Sequence, residues 1–155
     1  MRRLMVLILM LIIILPAAAE TTTAYVICNP ESFVWMREFP KFGSREVAYL
    51  QAGDEILTDG RKDGEWLHVY RDLTEPGEGW IYAGYVTYSE PVVYQSGIDA
   101  TTLRGKVRAR RYVNGKIRKT LKKGVTVTAY VVSDDWTVTD AGFIKTEFLE
   151  FREED

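Results

Sequence analysis

Few residues in this chain could do covalent or acid–base chemistry. It holds one cysteine, Cys28, and one histidine, His68. A thiol nucleophile needs a base within reach and a third group to orient that base. Here Cys28 ends Tyr25-Val26-Ile27-Cys28, which reads as a strand with Asn29-Pro30 behind it. That setting makes it a small buried hydrophobe. His68 alternates with Leu67 and Val69, so it shares a strand face with Trp66 and Tyr70 and reads as a surface or groove histidine. One Cys and one His cannot close a zinc site, and a lone Cys cannot form an intrachain disulfide. The acidic pairs Asp54-Glu55 and Asp134-Asp135 fall at corners and turns, where Asp bonds nearby backbone. Carboxylate chemistry on a glycoside would need a cleft that these turns do not supply. The expectation is a protein without catalytic residues, metal or cofactor; a hydrolase using Cys28 and His68 is the reading against it. Binding chemistry remains, carried by 4 Trp, 9 Tyr, 6 Phe and a run of cations.

The elements that must position these groups are strands. After residue 19 no segment sustains a 3.6-residue apolar period, and short runs of Val, Ile, Tyr, Trp and Thr alternate with Gly, Asp, Asn and Pro. Strands are expected over residues 24–28, 33–36, 46–51, 55–58, 66–70 and 79–82. A second set is expected over 92–94, 106–111, 116–121, 125–132, 136–139 and 143–145, with 95–104 as a polar connector. The two sets carry the same punctuation, about seventy residues apart. Gly53-Asp54, Asp63-Gly64-Glu65-Trp66, Gly79-Trp80-Ile81 and Gly84-Tyr85-Val86 recur as Lys123-Gly124, Asp134-Asp135-Trp136, Gly142-Phe143-Ile144 and Glu147-Phe148-Leu149.

With the openings Val34-Trp35-Met36-Arg37 and Val107-Arg108-Ala109-Arg110, this order of motifs resembles the bacterial SH3 (Src homology 3) domain, twice over. The second copy departs at Val125, where the corner usually has Asp, at Phe143 for Trp, and at Asn114-Gly115, which shortens the loop beside the family's ligand groove. The resemblance implies an all-β chain of two tandem small SH3-like β-barrels. It also implies grooves lined by Trp66, Tyr82 and Tyr85 in the first copy and by Trp136 and Phe148 in the second. Small barrels need large residues inside, so a core role for each Trp stands beside the groove role. For Trp80 and Phe143 the core role is expected, and Trp35 reads as a satellite contact.

Met1-Arg2-Arg3, the apolar run Leu4 to Leu15 and the small residues Pro16-Ala17-Ala18-Ala19 form a signal-peptide pattern. The apolar run is too short to span a bilayer. The expected organisation is therefore signal peptide 1–19, first barrel 20–90, second barrel 91–150 and tail 151–155, in a secreted or cell-envelope protein with no stable membrane span after cleavage.

Charge divides unevenly between the copies. Residues 20–90 hold 13 acids against 6 bases, whereas residues 91–155 hold 9 against 12. Arg104 to Lys123 contains ten Lys/Arg and no acid. Lys106, Arg108 and Arg110 alternate with Val107 and Ala109, so a strand sends the cations to one face. A three-residue loop pairing Val113 with Ile117 and Ala109 with Leu121 keeps the faces sorted, and sets Arg108 opposite Lys122 with Arg110 and Arg118 alongside. Facing like charges repel, and a bound anion would relieve them. Arg108, Arg110, Arg118 and Lys122 are thus candidate anion-binding residues. The same strip also reads as a solvated edge that discourages strand addition, or as a docking surface for an acidic protein face. The expected function is a noncatalytic module that attaches to cell-wall peptidoglycan or an anionic wall polymer. The other reading is a module that binds a partner protein. Nucleic acid is not an expected partner outside the cell.

Overall fold

The computed structural model describes residues 20–71 and 77–152. The expected signal peptide, residues 1–19, and residues 153–155 of the expected tail lie outside the described residues. The alternating runs become β1 (Thr22–Val26), β2 (Val34–Arg37), β3 (Glu46–Leu50), β4 (Glu55–Thr58), β5 (Lys62–Asp63), β6 (Trp66–Tyr70), β7 (Glu78–Tyr82) and β8 (Val86–Thr87). The second series is β9 (Val92–Thr102), β10 (Val107–Arg110), β11 (Ile117–Leu121), β12 (Thr126–Val132), β13 (Trp136–Thr139), β14 (Gly142–Lys145) and β15 (Leu149–Phe151). A 3-10 turn precedes the last strand of each series, at Ala83–Tyr85 and Thr146–Phe148.

The chain is all-β, with two antiparallel sheets. One runs β3-β2-β7-β6-β4-β1-β8, with β5 paired to β6, and the other β11-β10-β14-β13-β12-β9-β15. Matched copy to copy, the two orders are the same. Both sheets stay open, since neither path rejoins itself.

Local devices repeat as well. Gly53 (φ +88°) and Gly124 (φ +77°) take the left-handed corner that a side chain rarely adopts. A β-carbon on Gly79 would lie 2.8 Å from the Arg37 carbonyl oxygen, and one on Gly142 2.5 Å from that of Arg110. Both arginines follow a bulge, and each uses Nη1 to hold its hairpin loop, Arg37 on Ser44 O (2.8 Å) and Arg110 on Gly115 O (2.7 Å).

Each sheet encloses its own apolar cluster, around Met36, Leu50, Ile56 and Ile81 in one and Val107, Leu121, Val127 and Ile144 in the other. A third cluster joins them: Ile27 packs with Val131, Trp136, Val138 and Phe143, flanked by Tyr85 and Tyr112. Val113 N–H donates to Gly84 O at 2.9 Å across the same junction.

Four expectations need correction. The segment 95–104 is not a connector, because β9 continues to Thr102 with β12 bonded on one side and β15 on the other. Pairing on both edges overrides its weak β-propensity. The basic hairpin pairs Val107 with Leu121, Arg108 with Thr120 and Ala109 with Lys119, then shifts to Arg110 with Ile117. Arg108 therefore does not face Lys122. The cause is the hairpin tip: Tyr112 and Val113 are drawn onto the first sheet, and the loop closes with Arg111 N–H to Lys116 O (3.1 Å), using Asn114 at φ +56°. The slip from the expected register is by two residues at Val107–Ala109, so the faces survive: Val107 and Ala109 are buried and Arg108 is exposed. His68 is not a surface residue, being only 4% exposed. Trp80 is half-buried and outside the apolar clusters, with its ring 5.0 Å from that of His68.

Candidate binding grooves

In the second copy β13 opens with Trp136, which pairs with Lys145 on β14. Ser133 sets this start: its hydroxyl donates to Trp136 O (2.8 Å) and accepts from Trp136 N (3.3 Å). Thr146 ties the 3-10 turn to the same place through Ser133 O (2.8 Å) and Asp135 O (3.1 Å), which brings Phe148 near Trp136. Alternation along β10 sends Arg108 and Arg110 to the side away from buried Val107 and Ala109. The result is a groove of about 450 Å³ whose aromatic lining is Trp136 and Phe148, and whose charged lining is Arg104, Lys106, Arg108, Arg110, Lys145 and Glu147. Trp136 is 7% exposed and contributes only an edge, while Phe148 is half-buried. The Arg104 guanidinium lies over the Phe148 ring, 3.6 Å from its centre, a cation–π contact. Five cations meet one carboxylate here. Lys145 and Glu147 are 3.8 Å apart and exposed, a pair of little energetic weight. Among the described residues Arg104, Lys106 and Arg108 have no ion-pair partner.

The equivalent place in the first copy has different chemistry. Trp66 pairs with Tyr82 as Trp136 pairs with Lys145, and Tyr85 ends its 3-10 turn as Phe148 does. Counting back from the matched Arg37 and Arg110, Trp35 corresponds to Arg108 and Phe33 to Lys106. Phe33, Trp35 and Tyr82 thus stand where the second groove has Lys106, Arg108 and Lys145. Phe42 adds a ring 4.9 Å from Trp66 and 5.7 Å from Tyr82. The second sheet walls this cavity of about 390 Å³ through Arg111, Arg118 and the segment Val138 to Phe143. Tyr112 packs on two of its rings, 4.9 Å from Tyr82 and 6.2 Å from Tyr85, and Phe143 is 5.9 Å from Tyr85. Burial, then hydrogen bonds to Glu65 and Tyr112, push the Tyr82 hydroxyl strongly upward, so it stays protonated. Burial, with Cys28 and Tyr112 close by, also raises Tyr85.

The residues singled out by sequence are therefore distributed as follows. Trp136, Phe148, Arg108 and Arg110 meet in one groove; Trp66, Tyr82, Tyr85 and Arg118 meet in the other. Lys122 lines neither, and its carbonyl accepts from Thr102 Oγ1 (2.6 Å) while its side chain is in solvent. Sequence reasoning missed Arg104, Lys106 and Lys145 as groove residues, and Phe42 and Arg111 in the other cavity. Aligning the copies at Gly79/Gly142 would have matched Lys145 to Tyr82. Phe42 lies in the loop between β2 and β3, the counterpart of the Asn114-Gly115 loop that the resemblance puts beside a groove, so its place was open to that reasoning; nothing in the sequence marks Arg111, which the junction brings to the cavity.

Cys28 and His68 are held separately. Burial, then the charge of Asp54, pushes the Cys28 thiol up to about 11, so it carries almost no thiolate at neutral pH. Its sulfur lies 4.0 Å from Ser32 O. His68 sits beneath Arg61, whose Nη2 is 2.8 Å from Nδ1 and 3.1 Å from Nε2, and its Nδ1 is 3.2 Å from Asp59. Asp59 also accepts from Arg61 Nε (2.6 Å) and the Tyr70 hydroxyl (3.0 Å). Burial works against the Asp59 charge, but the Arg61 backbone and side-chain bonds, the Tyr70 bond and His68 outweigh it and lower its pKa to about 2.

No family model matches the chain, and no curated protein is similar to it. Among solved structures it is similar to NlpC1 from Trichomonas vaginalis, with 13% identity and a TM-score of 0.38 over 90% of this chain and 49% of that one. It is likewise similar to NlpC2 from Trichomonas vaginalis, with 13% identity and a TM-score of 0.37 over 90% of this chain and 52% of that one. The chain thus spans about half the length of each.

Proposed function

We propose that the protein is a secreted, noncatalytic binding module, a pair of bacterial SH3-like barrels that attaches to an anionic polymer of the cell wall. One observation carries this reading: a groove with an aromatic lining where five cations face a single carboxylate. A wall polymer bearing phosphate or carboxylate supplies the missing negative charge. Excess positive potential in a cleft also raises the local concentration of a polyanion. Hydrolysis at Cys28 is disfavoured by its protonated thiol and by His68's engagement with Asp59 and Arg61.

The test is sedimentation of the protein with purified cell walls, before and after chemical removal of their anionic polymers, across a salt series. Pelleting that falls with salt and is lost on stripping is the expected result. Pelleting that ignores salt, or persists on bare peptidoglycan, removes the cationic groove as the attachment site. No pelleting at all leaves a partner protein as the ligand.

A further inference from the structure

We infer that the hairpin tip between β2 and β3, with the strand face behind it, is a surface that docks on a lipid bilayer. Among the described residues, five of the nine large hydrophobic side chains left exposed fall within residues 33–49: Phe33 (50%), Phe39 (60%), Phe42 (69%), Val47 (40%) and Tyr49 (56%). Phe33, half-buried Trp35 and Tyr49 form one edge-on cluster, with ring centres 4.9, 6.2 and 6.4 Å apart. The tip is an ordered loop. Lys41 N–H and the Ser44 hydroxyl both donate to Phe39 O (2.7 and 2.9 Å), and Glu38 N–H donates to Arg45 O (2.9 Å). Arg111 N–H to Lys116 O is the matching bond of the second copy, so Phe39 holds the position of Tyr112. Tyr112 is half-buried against the first sheet, 4.9 Å from Tyr82, whereas Phe39 faces solvent.

Charge selects the occupant. Residues 33–50 carry Arg37, Glu38, Lys41, Arg45 and Glu46, and both acids are paired, Glu46 with Arg37 and Glu38 with Arg45, each at 3.2 Å. Exposed Lys41 has no ion-pair partner among the described residues. The rest of residues 20–90 holds 11 acids against 3 bases. The aromatic segment therefore has no unpaired carboxylate, within a half that is otherwise strongly acidic. Rings, paired charges and one cation suit the headgroup layer: the rings enter the acyl boundary and the Lys41 ammonium meets a lipid phosphate. Phe39, Val47 and Tyr49 line neither groove, so a ligand seated in a cavity would leave them in water. A lipid surface admits a raised loop without matched relief and removes the whole patch from water.

The test is flotation of the protein with vesicles of phosphatidylcholine, alone or mixed with phosphatidylglycerol. Flotation is expected with both, and more strongly with the mixture. Phe39→Ser should weaken partitioning about tenfold, the effect of burying most of one phenyl ring, and Phe42→Ser similarly. Lys41→Gln should remove the gain from phosphatidylglycerol and leave partitioning to phosphatidylcholine unchanged, and Arg108→Gln should alter neither. Phe42 also packs on Trp66, so Phe39→Ser, at a position free of that contact, is the decisive variant. No flotation, or Phe39→Ser floating like the wild type, overturns the inference. So does flotation confined to the mixture and lost in Arg108→Gln, which would assign it to the cationic groove. A dimer in sedimentation velocity that Phe39→Ser dissociates, without flotation, would make the patch a contact between copies instead. The inference does not rest on the wall-binding reading. Pelleting without flotation removes only the lipid surface, and flotation without pelleting removes only the polymer groove.

Discussion

Replacing Arg108 by Gln should flatten the salt dependence of wall binding by a predictable amount. The five cations of the second groove are not equivalent. Lys145 lies 3.8 Å from Glu147, and the Arg110 guanidinium is committed to the Gly115 carbonyl at 2.7 Å. Arg104, Lys106 and Arg108 remain free to neutralise ligand charge. For a linear polyphosphate, log K falls with log salt by about 0.7 for each phosphate neutralised, so three contacts give a slope near −2. Binding should then weaken by about 20-fold between 50 and 200 mM salt, against about 7-fold for the Arg108→Gln variant with its slope near −1.4. Wall polymers with more widely spaced charges would reduce both slopes and preserve their order. Arg108 is exposed and faces Thr120, so the substitution should leave stability within about 0.5 kcal/mol. The assay is depletion of protein from solution by a titrated wall suspension at four salt concentrations. Lys122→Gln is the control, because Lys122 has the same charge outside the groove. Parallel lines for wild type and Arg108→Gln would refute the assignment. So would an equal flattening by Lys122→Gln, which would mean that charge acts diffusely over the strip.

Three further outcomes are expected. Gly84→Ala places a β-carbon 2.6 Å from Tyr112 Cδ2, so the denaturation midpoint should fall by the equivalent of about 1–3 kcal/mol; an unchanged midpoint would contradict the packed junction. Asp59 has a folded pKa of about 2, below the value near 4 of an unfolded chain, so its stabilising effect is complete above about pH 4 and lost as pH falls toward 2. The stability gap between wild type and Asp59→Asn should therefore close over that window in urea titrations at pH 7, 4 and 2.5, and a gap independent of pH would be inconsistent with the network. Cys28, buried and with its pKa raised to about 11, should resist alkylation at pH 8 until the protein unfolds, and Cys28→Ser should leave wall pelleting unchanged; rapid modification of the native protein would show the thiol to be accessible.

The repeated framework was legible because it depends on residues with few substitutes. Gly53 and Gly124 meet a backbone requirement, and Gly79 and Gly142 meet a steric one, so their spacing carries the fold. Most strands were legible for the same local reason. His68 was not: alternation put it on the outer face of β6, yet that strand is buried on both faces from Trp66 to Val69. The cover combines Asp59 and Arg61 from the preceding turn with the rings of Tyr70 and Trp80 beside it, and the polar half of that cover has no hydrophobic pattern to announce it. The hairpin register failed for a longer-range reason. Sorting faces restricts the register to alternatives two residues apart, and the choice between them is made by the docking of Tyr112 and Val113 on the first sheet.

That docking also explains why the two copies can differ so much on one scaffold. At matched positions the first copy has Phe33, Trp35 and Tyr82 where the second has Lys106, Arg108 and Lys145, a change from three rings to three cations with no change in strand order. A groove lined by rings in a free-standing sheet would expose a large apolar surface. Here the second sheet covers part of it with Tyr112 and Phe143 and brings Arg111 and Arg118 to its rim. The cationic groove needs no such cover, since water solvates its side chains. The acid-free segment 104–123 therefore serves both places: Arg104, Lys106, Arg108 and Arg110 charge the second groove, while the far end of the same hairpin completes the first. A shift in how the hairpin tip seats against Gly84 would reach both grooves at once, through Arg110's hold on the Gly115 carbonyl and through the ring of Tyr112.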